Sequence, residues 1–253
     1  MGTIDPDREY HIGLKKGDVG DYILLPGDPA RAEKIAGYFD EAEEVNWVRE
    51  YRTYTGTYNG IPVSVMSTGI GCPSMAIAVE ELVKVGAPTM LRVGTAGSMQ
   101  RKVGLGSITI STGAVRVDGT TKEYVPVEYP AVPDFEVTAA LRSAAEELDL
   151  DYHTGIVHCK DAFYTEGNDD LPLAVQQREL WDTWYKANVL STSMESSALF
   201  VLSSIKDVPC GEVLANIGLT YADEPIVAKE GVDEAIRCAL KAIESLEKKT
   251  PGS

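Results

Sequence analysis

Basic residues are scarce in this chain of 253: 23 lysines and arginines stand against 39 acids, for a net charge of -16. That balance excludes a basic face for DNA, RNA or an anionic membrane, and it makes the binding of any phosphate-sized anion depend on a local cluster of arginines. Cysteine is rare as well. Cys72, Cys159, Cys210 and Cys238 lie far apart, form no CxxC pair and follow no secretory segment. Their spacing argues against a disulfide framework or a zinc site and predicts reduced, buried thiols in a cytoplasmic protein. No apolar run approaches the ~20 residues a spanning helix requires. Linkers, internal repeats and low-complexity stretches are also missing, so residues 1–253 read as one domain, long enough to bury an extensive core.

What is present is an alternation of apolar, strand-like runs with amphipathic helical stretches. Strands are expected at YILLPG, VSVMST, TMLRVGT, SITISTGAVR, HTGIVHCKDAF and CGEVLANIGL. Between and after them the pattern predicts helices from Pro29 to about Phe39, Pro73 to Val85, Pro133 to Leu150, Gln176 to Lys186, Met194 to Ile205 and Gly231 to Lys248. The fold class that follows is α/β: a three-layer α/β/α sandwich around a mixed, largely parallel central sheet. In such sheets ligands gather at the carboxyl ends of strands. The segment Thr165–Pro172, TEGNDDLP, interrupts the pattern as a polar loop or lid.

Two strand ends carry chemistry. In LRVGTAGS, Leu91–Ser98, an apolar run delivers Arg92 and then meets Gly94, Thr95 and Gly97. A turn with both glycines at positive φ would aim backbone amides inward, Thr95 would add a hydroxyl, and Arg92 would supply a forked, permanent cation suited to phosphate oxygens. In YILLPGDPAR, Tyr22–Arg31, a buried strand ends in the Pro26-Gly27 turn, with Pro29 at a helix start and Arg31 on its first turn. Two such loops, each with one arginine, form a candidate site for a single phosphate.

These motifs, together with HIGLKKGDV, VREYRTYTG, STGIGCPS followed by AIAVEEL, EYPAVPDFE, KDAFY and SMESSAL, resemble the uridine phosphorylase branch of the nucleoside phosphorylases from about His11 to the last helix. The resemblance implies a hexamer, a trimer of dimers, in which each active site is completed by a neighbouring subunit. It also implies phosphorolysis, in which a nucleoside and inorganic phosphate give ribose 1-phosphate and free base without metal or organic cofactor in the chemistry. Carried onto this chain, Gly27, Arg31, Arg92 and Thr95 would hold the phosphate and Arg49 would reach it from the partner subunit. Glu195 would accept from the ribose hydroxyls with Met194 packed on the sugar, and His11 would reach the 5′-hydroxyl in the neighbour's site. Phe163 would stack on the base. Glu50, Ile70 and Ser74 match positions where some relatives hold a monovalent cation, which makes a potassium site at a dimer interface a candidate. His153 and His158 carry no role in the family and are expected to be structural.

The chain departs from the pattern where the base is read. The glutamine and arginine that follow the phenylalanine in uridine phosphorylases are replaced by Thr165, Glu166, Gly167, Asn168, Asp169 and Asp170, and ANIGLTYADEP has Thr220 near where relatives place an arginine. An ionised Glu166 only accepts hydrogen bonds, whereas uracil's O2 and O4 need donors; a guanine or hypoxanthine edge offers N1–H. Two substrate classes therefore stay open, uridine by resemblance and guanosine or inosine by this chemistry, with Asp223 as the candidate acid for N7 of a leaving purine. A hydrolase of the same superfamily and a non-catalytic nucleoside-binding protein are the remaining alternatives. Retention of Arg31, Arg49 and Arg92 opposes the first, and retention of Glu195 and Thr95 opposes the second.

Overall fold

The computed structural model describes residues 6–165, 167–220 and 226–249. Its strands are β1 (Tyr22–Leu25), β2 (Glu41–Val48), β3 (Tyr51–Tyr58), β4 (Ile61–Met66), β5 (Met90–Ser98), β6 (Ile108–Arg116), β7 (Tyr152–Cys159), β8 (Ser191–Ser193), β9 (Cys210–Leu219) and β10 (Ile226–Val227). The helices are α1 (Pro29–Ala36), α2 (Cys72–Val85), α3 (Thr120–Tyr124), α4 (Phe135–Glu147), α5 (Ala174–Lys186), α6 (Ser196–Ile205) and α7 (Val232–Lys249). All ten strands join one sheet in the order β10-β9-β6-β7-β8-β5-β1-β4-β3-β2, and a further β9–β5 pairing closes β5, β9, β6, β7 and β8 into a ring.

Helices cover both faces. Ala32 and Ile35 of α1, Val137 and Leu141 of α4 and Ile236 and Ala239 of α7 bury one face, while Met75, Val79 and Leu82 of α2 and Leu199 and Leu202 of α6 bury the other. This is the expected three-layer sandwich. Local signals place the helix starts: the Asp28 side chain accepts from Ala30 N ahead of Pro29, and the Asp134 side chain accepts from Val137 N. All four thiols are buried, and none is in a disulfide. No helix among the described residues is long and apolar enough to cross a membrane.

Four expectations need correction. The sheet is mixed but not largely parallel: β1 with β4 and β5, β5 with β9 and β7 with β6 and β8 run parallel, while the hairpins β2–β3 and β3–β4 and the pairs β5–β8, β6–β9 and β9–β10 run antiparallel. The β2–β3 hairpin was not expected, because EAEEVNWV is charged and exposed and its turn lacks glycine; Arg49 itself takes φ 55 there. The helix expected from Met194 begins at Ser196, since Ser191–Ser193 pairs with β5 and β7 as a three-residue strand. Finally, LRVGTAGS does not turn at its glycines. The strand β5 continues to Ser98, and neither Gly94 nor Gly97 has a positive φ.

Candidate active site

The glycines of β5 serve close approach instead of a turn. A Cβ on Gly94 would stand 1.5 Å from Nη1 of Arg92, and one on Gly97 would stand 2.7 Å from Cγ2 of Thr220. Arg92 therefore lies along its own strand, over a position that only glycine leaves open. It is 4% exposed, its Nη2 donates to Oε2 of Glu195, and its Nε is 3.6 Å from Oε1 of Glu212. Burial works against the charge, yet the carboxylates of Glu195 and Glu212 outweigh it and hold the guanidinium above its ordinary pKa. Nη1 has no hydrogen-bond partner among the described residues. A buried, charged donor without an acceptor is costly unless an anion meets it.

Arg31, on the first turn of α1, faces the same place. Its pKa is lowered by burial and by the positive charge of Arg92, and it forms no salt bridge among the described residues. Two guanidinium groups that repel each other in a partly buried site are an arrangement that a dianion would relieve. Gly27 closes the site at the end of β1: its carbonyl accepts from Gly69 N at 2.9 Å, and a Cβ there would sit 3.1 Å from Gly69 O. Thr95 is half-buried, and its hydroxyl makes no hydrogen bond among the described residues.

Glu195 follows β8 and, although it stands at the start of α6, its side chain does not cap that helix. Oε1 instead accepts from Gly71 N at 2.7 Å, at the start of α2, while Oε2 takes Arg92. Gly71 reaches this geometry at φ 100. The remaining lone pairs of a buried carboxylate beside a buried cation suit a pair of hydroxyl donors. Met194 is half-buried next to it, its carbonyl accepting from Cys72 Sγ at 3.3 Å.

Other residues expected at the site lie further out in this protomer. Arg49 is exposed at the β2–β3 turn, its carbonyl accepting from Trp47 Nε1. Beside it, Glu50 Oε1 accepts from Ser74 Oγ at 2.9 Å, and Ile70 is 76% exposed. His11 is clasped by a residue the sequence reading passed over: Glu81, buried on α2, accepts from the backbone N–H of His11 and Ile12 and lies 2.6 Å from His11 Nδ1. Glu212 was overlooked too. Completely buried, it is hydrogen-bonded by Ser111 and Ser196, and burial pushes its pKa up. Glu166 and Asp223 lie outside the described residues.

A cavity of about 480 Å³ opens between the end of β7 and α5. His158, Lys160, Gln177, Trp181, Trp184 and Thr220 line it. His158 sits edge-on to Trp181, with ring centroids 5.6 Å apart, and its Nδ1 lies 3.3 Å from Thr192 Oγ1. Burial, reinforced by the nearby charge of Lys160, lowers its pKa to about 4. Burial also lowers that of Lys160, to about 8. Phe163, expected against the base, is 62% exposed in a short 3₁₀ turn at Phe163–Thr165, its ring 5.6 Å from the Lys160 ammonium. His158, expected to be structural, thus shares a cavity wall with two indoles.

This geometry has relatives. Residues 21–246 match the family model of the phosphorylase superfamily. The chain is 50% identical over 244 residues to a uridine phosphorylase of Treponema pallidum, covering 95% of each, and 39% identical over 249 residues to a guanosine phosphorylase of Halorubrum lacusprofundi, covering 94% of this chain and 99% of that one. The crystal structure of uridine phosphorylase from Vibrio fischeri ES114 superposes with a TM-score of 0.84 at 30% identity, over 95% of this chain and 98% of the other. With a family model spanning most of its length and a relative half identical to it, the chain belongs to the phosphorylase superfamily.

Proposed function

We propose that this protein catalyses nucleoside phosphorolysis, with uridine as its leading substrate: the nucleoside and inorganic phosphate give ribose 1-phosphate and the free base. The observation that carries the reading is the juxtaposition of Arg31 with Arg92, whose Nη1 is buried without an acceptor among the described residues. A phosphate dianion supplies what both guanidinium groups lack. The names of the relatives, uridine phosphorylases and a guanosine phosphorylase, support the same chemistry.

In this reading Gly27, Arg31, Arg92 and Thr95 cradle the phosphate, and Arg49 is lent by a neighbouring subunit, consistent with its exposure. Arg92 divides its fork, one nitrogen on Glu195 and one on the anion, so the sugar-binding carboxylate and the attacking ion are fixed by one rigid plane. A phosphate oxygen forms the new bond to C1′ while the C1′–N bond breaks and its electron pair leaves with the base, which recovers a proton from water. Glu195 accepts from the ribose hydroxyls and favours the positive charge developing on the ring, with Met194 against the sugar. His11, oriented by Glu81, reaches the 5′-hydroxyl in the neighbour's site. Residues 1–253 act as one catalytic domain, without an organic cofactor, in a cytoplasmic homohexamer whose dimer interface holds potassium at Glu50, Ile70 and Ser74. The Glu50–Ser74 contact and four free thiols are compatible with these assignments.

Guanosine or inosine phosphorolysis is the second reading. It is favoured by the missing glutamine-arginine pair after Phe163 and by the guanosine phosphorylase among the relatives; Glu166 would then accept from the purine and Asp223 would protonate N7. One assay tests both: a panel of nucleosides is incubated with and without phosphate, and released base and ribose 1-phosphate are quantified. Base release is expected only with phosphate, in equal amounts with ribose 1-phosphate. Equal cleavage without phosphate would contradict phosphorolysis, and consumption of guanosine but not uridine would select the second reading.

A further inference from the structure

Lys160 is a cation on the wall of the cavity that opens past the end of β7. It leaves the end of β7 with its backbone N–H on the Ser193 carbonyl at 3.2 Å, and Ser193 is two residues ahead of Glu195. The side chain runs into the cavity, yet the residue is only 6% exposed. The ammonium stands 5.4 Å from the centroid of the Trp181 ring and 5.6 Å from that of Phe163. His158 and Trp184 continue the same wall. A flat heterocycle entering this cavity would meet aromatic rings and the donor-only head of Lys160.

Resting on the phosphorolysis reading, we propose that Lys160 reads the base, donating to a ring carbonyl and so restricting the enzyme to nucleosides whose base carries one. Uridine, guanosine and inosine qualify; adenosine does not. As the C1′–N bond breaks, its electron pair passes into the base and negative charge spreads onto the carbonyl oxygen. A hydrogen bond from Lys160 to that oxygen strengthens as the charge grows, so the contact contributes more in the transition state than in the bound substrate. The ammonium keeps its proton; uracil takes its own from water, and a leaving purine takes its proton from Asp223. Against adenine the same group would meet an amino donor, so that two donors would face each other where one hydrogen bond is needed. The donor that the Phe163 motif lacks is thus supplied by a residue ahead of it, on the strand end.

The test compares wild type, Lys160→Met and Lys160→Arg on uridine, guanosine, inosine and adenosine in the presence of phosphate, with Kd values for free uracil and guanine from calorimetry. Lys160→Met is expected to lower kcat/KM about 100-fold on whichever oxo-nucleoside the wild type prefers, and to weaken free-base binding about tenfold. KM for phosphate should stay within about threefold, and Lys160→Arg should keep the preference over adenosine. A Lys160→Met enzyme that binds base and discriminates against adenosine as the wild type does would overturn the proposal, as would a loss confined to KM for phosphate. Failure of the underlying reading has a different signature: wild type that releases base without phosphate.

Discussion

Nη1 of Arg92 occupies the space where a side chain on Gly94 would begin, 1.5 Å from the Cβ that any other residue would place there. The glycine is therefore part of how the arginine is aimed, even though its backbone is ordinary strand.

Gly94→Ala is expected to push the Arg92 guanidinium off Glu195 and away from the anion. A displacement on the scale of 1 Å in a positioning group costs about 100-fold in rate. kcat/KM for phosphorolysis should fall by about that factor, read in a steady-state assay, and the crystal structure of the variant should show Arg92 moved. Normal turnover in the Gly94→Ala enzyme would mean that Arg92 has a second, equally good path.

Glu81→Gln replaces an acceptor-only carboxylate, which takes the backbone N–H groups of His11 and Ile12, with an amide that turns its own donors toward them. Hydrogen bonds to a charged group are worth about 1.5–3 kcal/mol, so faster amide exchange at residues 11 and 12 and a loss of stability in that range are expected. If His11 serves the neighbouring site, KM for nucleoside rises while KM for phosphate holds. Unchanged exchange at both amides would show that the clasp does not order the segment.

His158 gives a pH signature. Its folded pKa of about 4, lowered by burial and by the charge of Lys160, lies below the ordinary 6.5. As pH falls from 6.5 toward 4 the unfolded chain takes up a proton that the folded one refuses, so stability drops across that window and the contribution is intact above it. The drop from this residue is on the order of 3 kcal/mol. Urea unfolding of wild type and His158→Asn at a series of pH values should show the steeper acid loss in wild type; identical slopes would place the imidazole in water in the folded protein.

How much of this was legible in the sequence follows from the range of each signal. Arg31 and Arg92 were found because a strand, a glycine and an arginine are neighbours in the chain. The start of α1 was found because Pro29 marks a helix entry locally, whereas the caps at Asp28 and Asp134 were passed over and the helix expected from Pro133 begins at Phe135. Glu81 was invisible for the opposite reason: it sits mid-helix, and its partners are 69 and 70 residues away. Lys160 and His158 become neighbours of Trp181 and Trp184 only when α5 folds over β7, and no local pattern announces that contact. The glycines of LRVGTAGS were noticed for the wrong property, since conformational freedom and absence of a side chain leave the same letter in a sequence.

The most direct test of the anion site is KM for phosphate in Arg31→Met, a variant that removes one guanidinium while leaving Arg92, Glu195 and the base cavity in place. Losing one charge-assisted contact to the dianion, about 1.4 kcal/mol or more, should raise that KM at least about tenfold, with KM for nucleoside within about twofold. A phosphate KM equal to that of wild type would show that Arg31 and Arg92 do not converge on the ion.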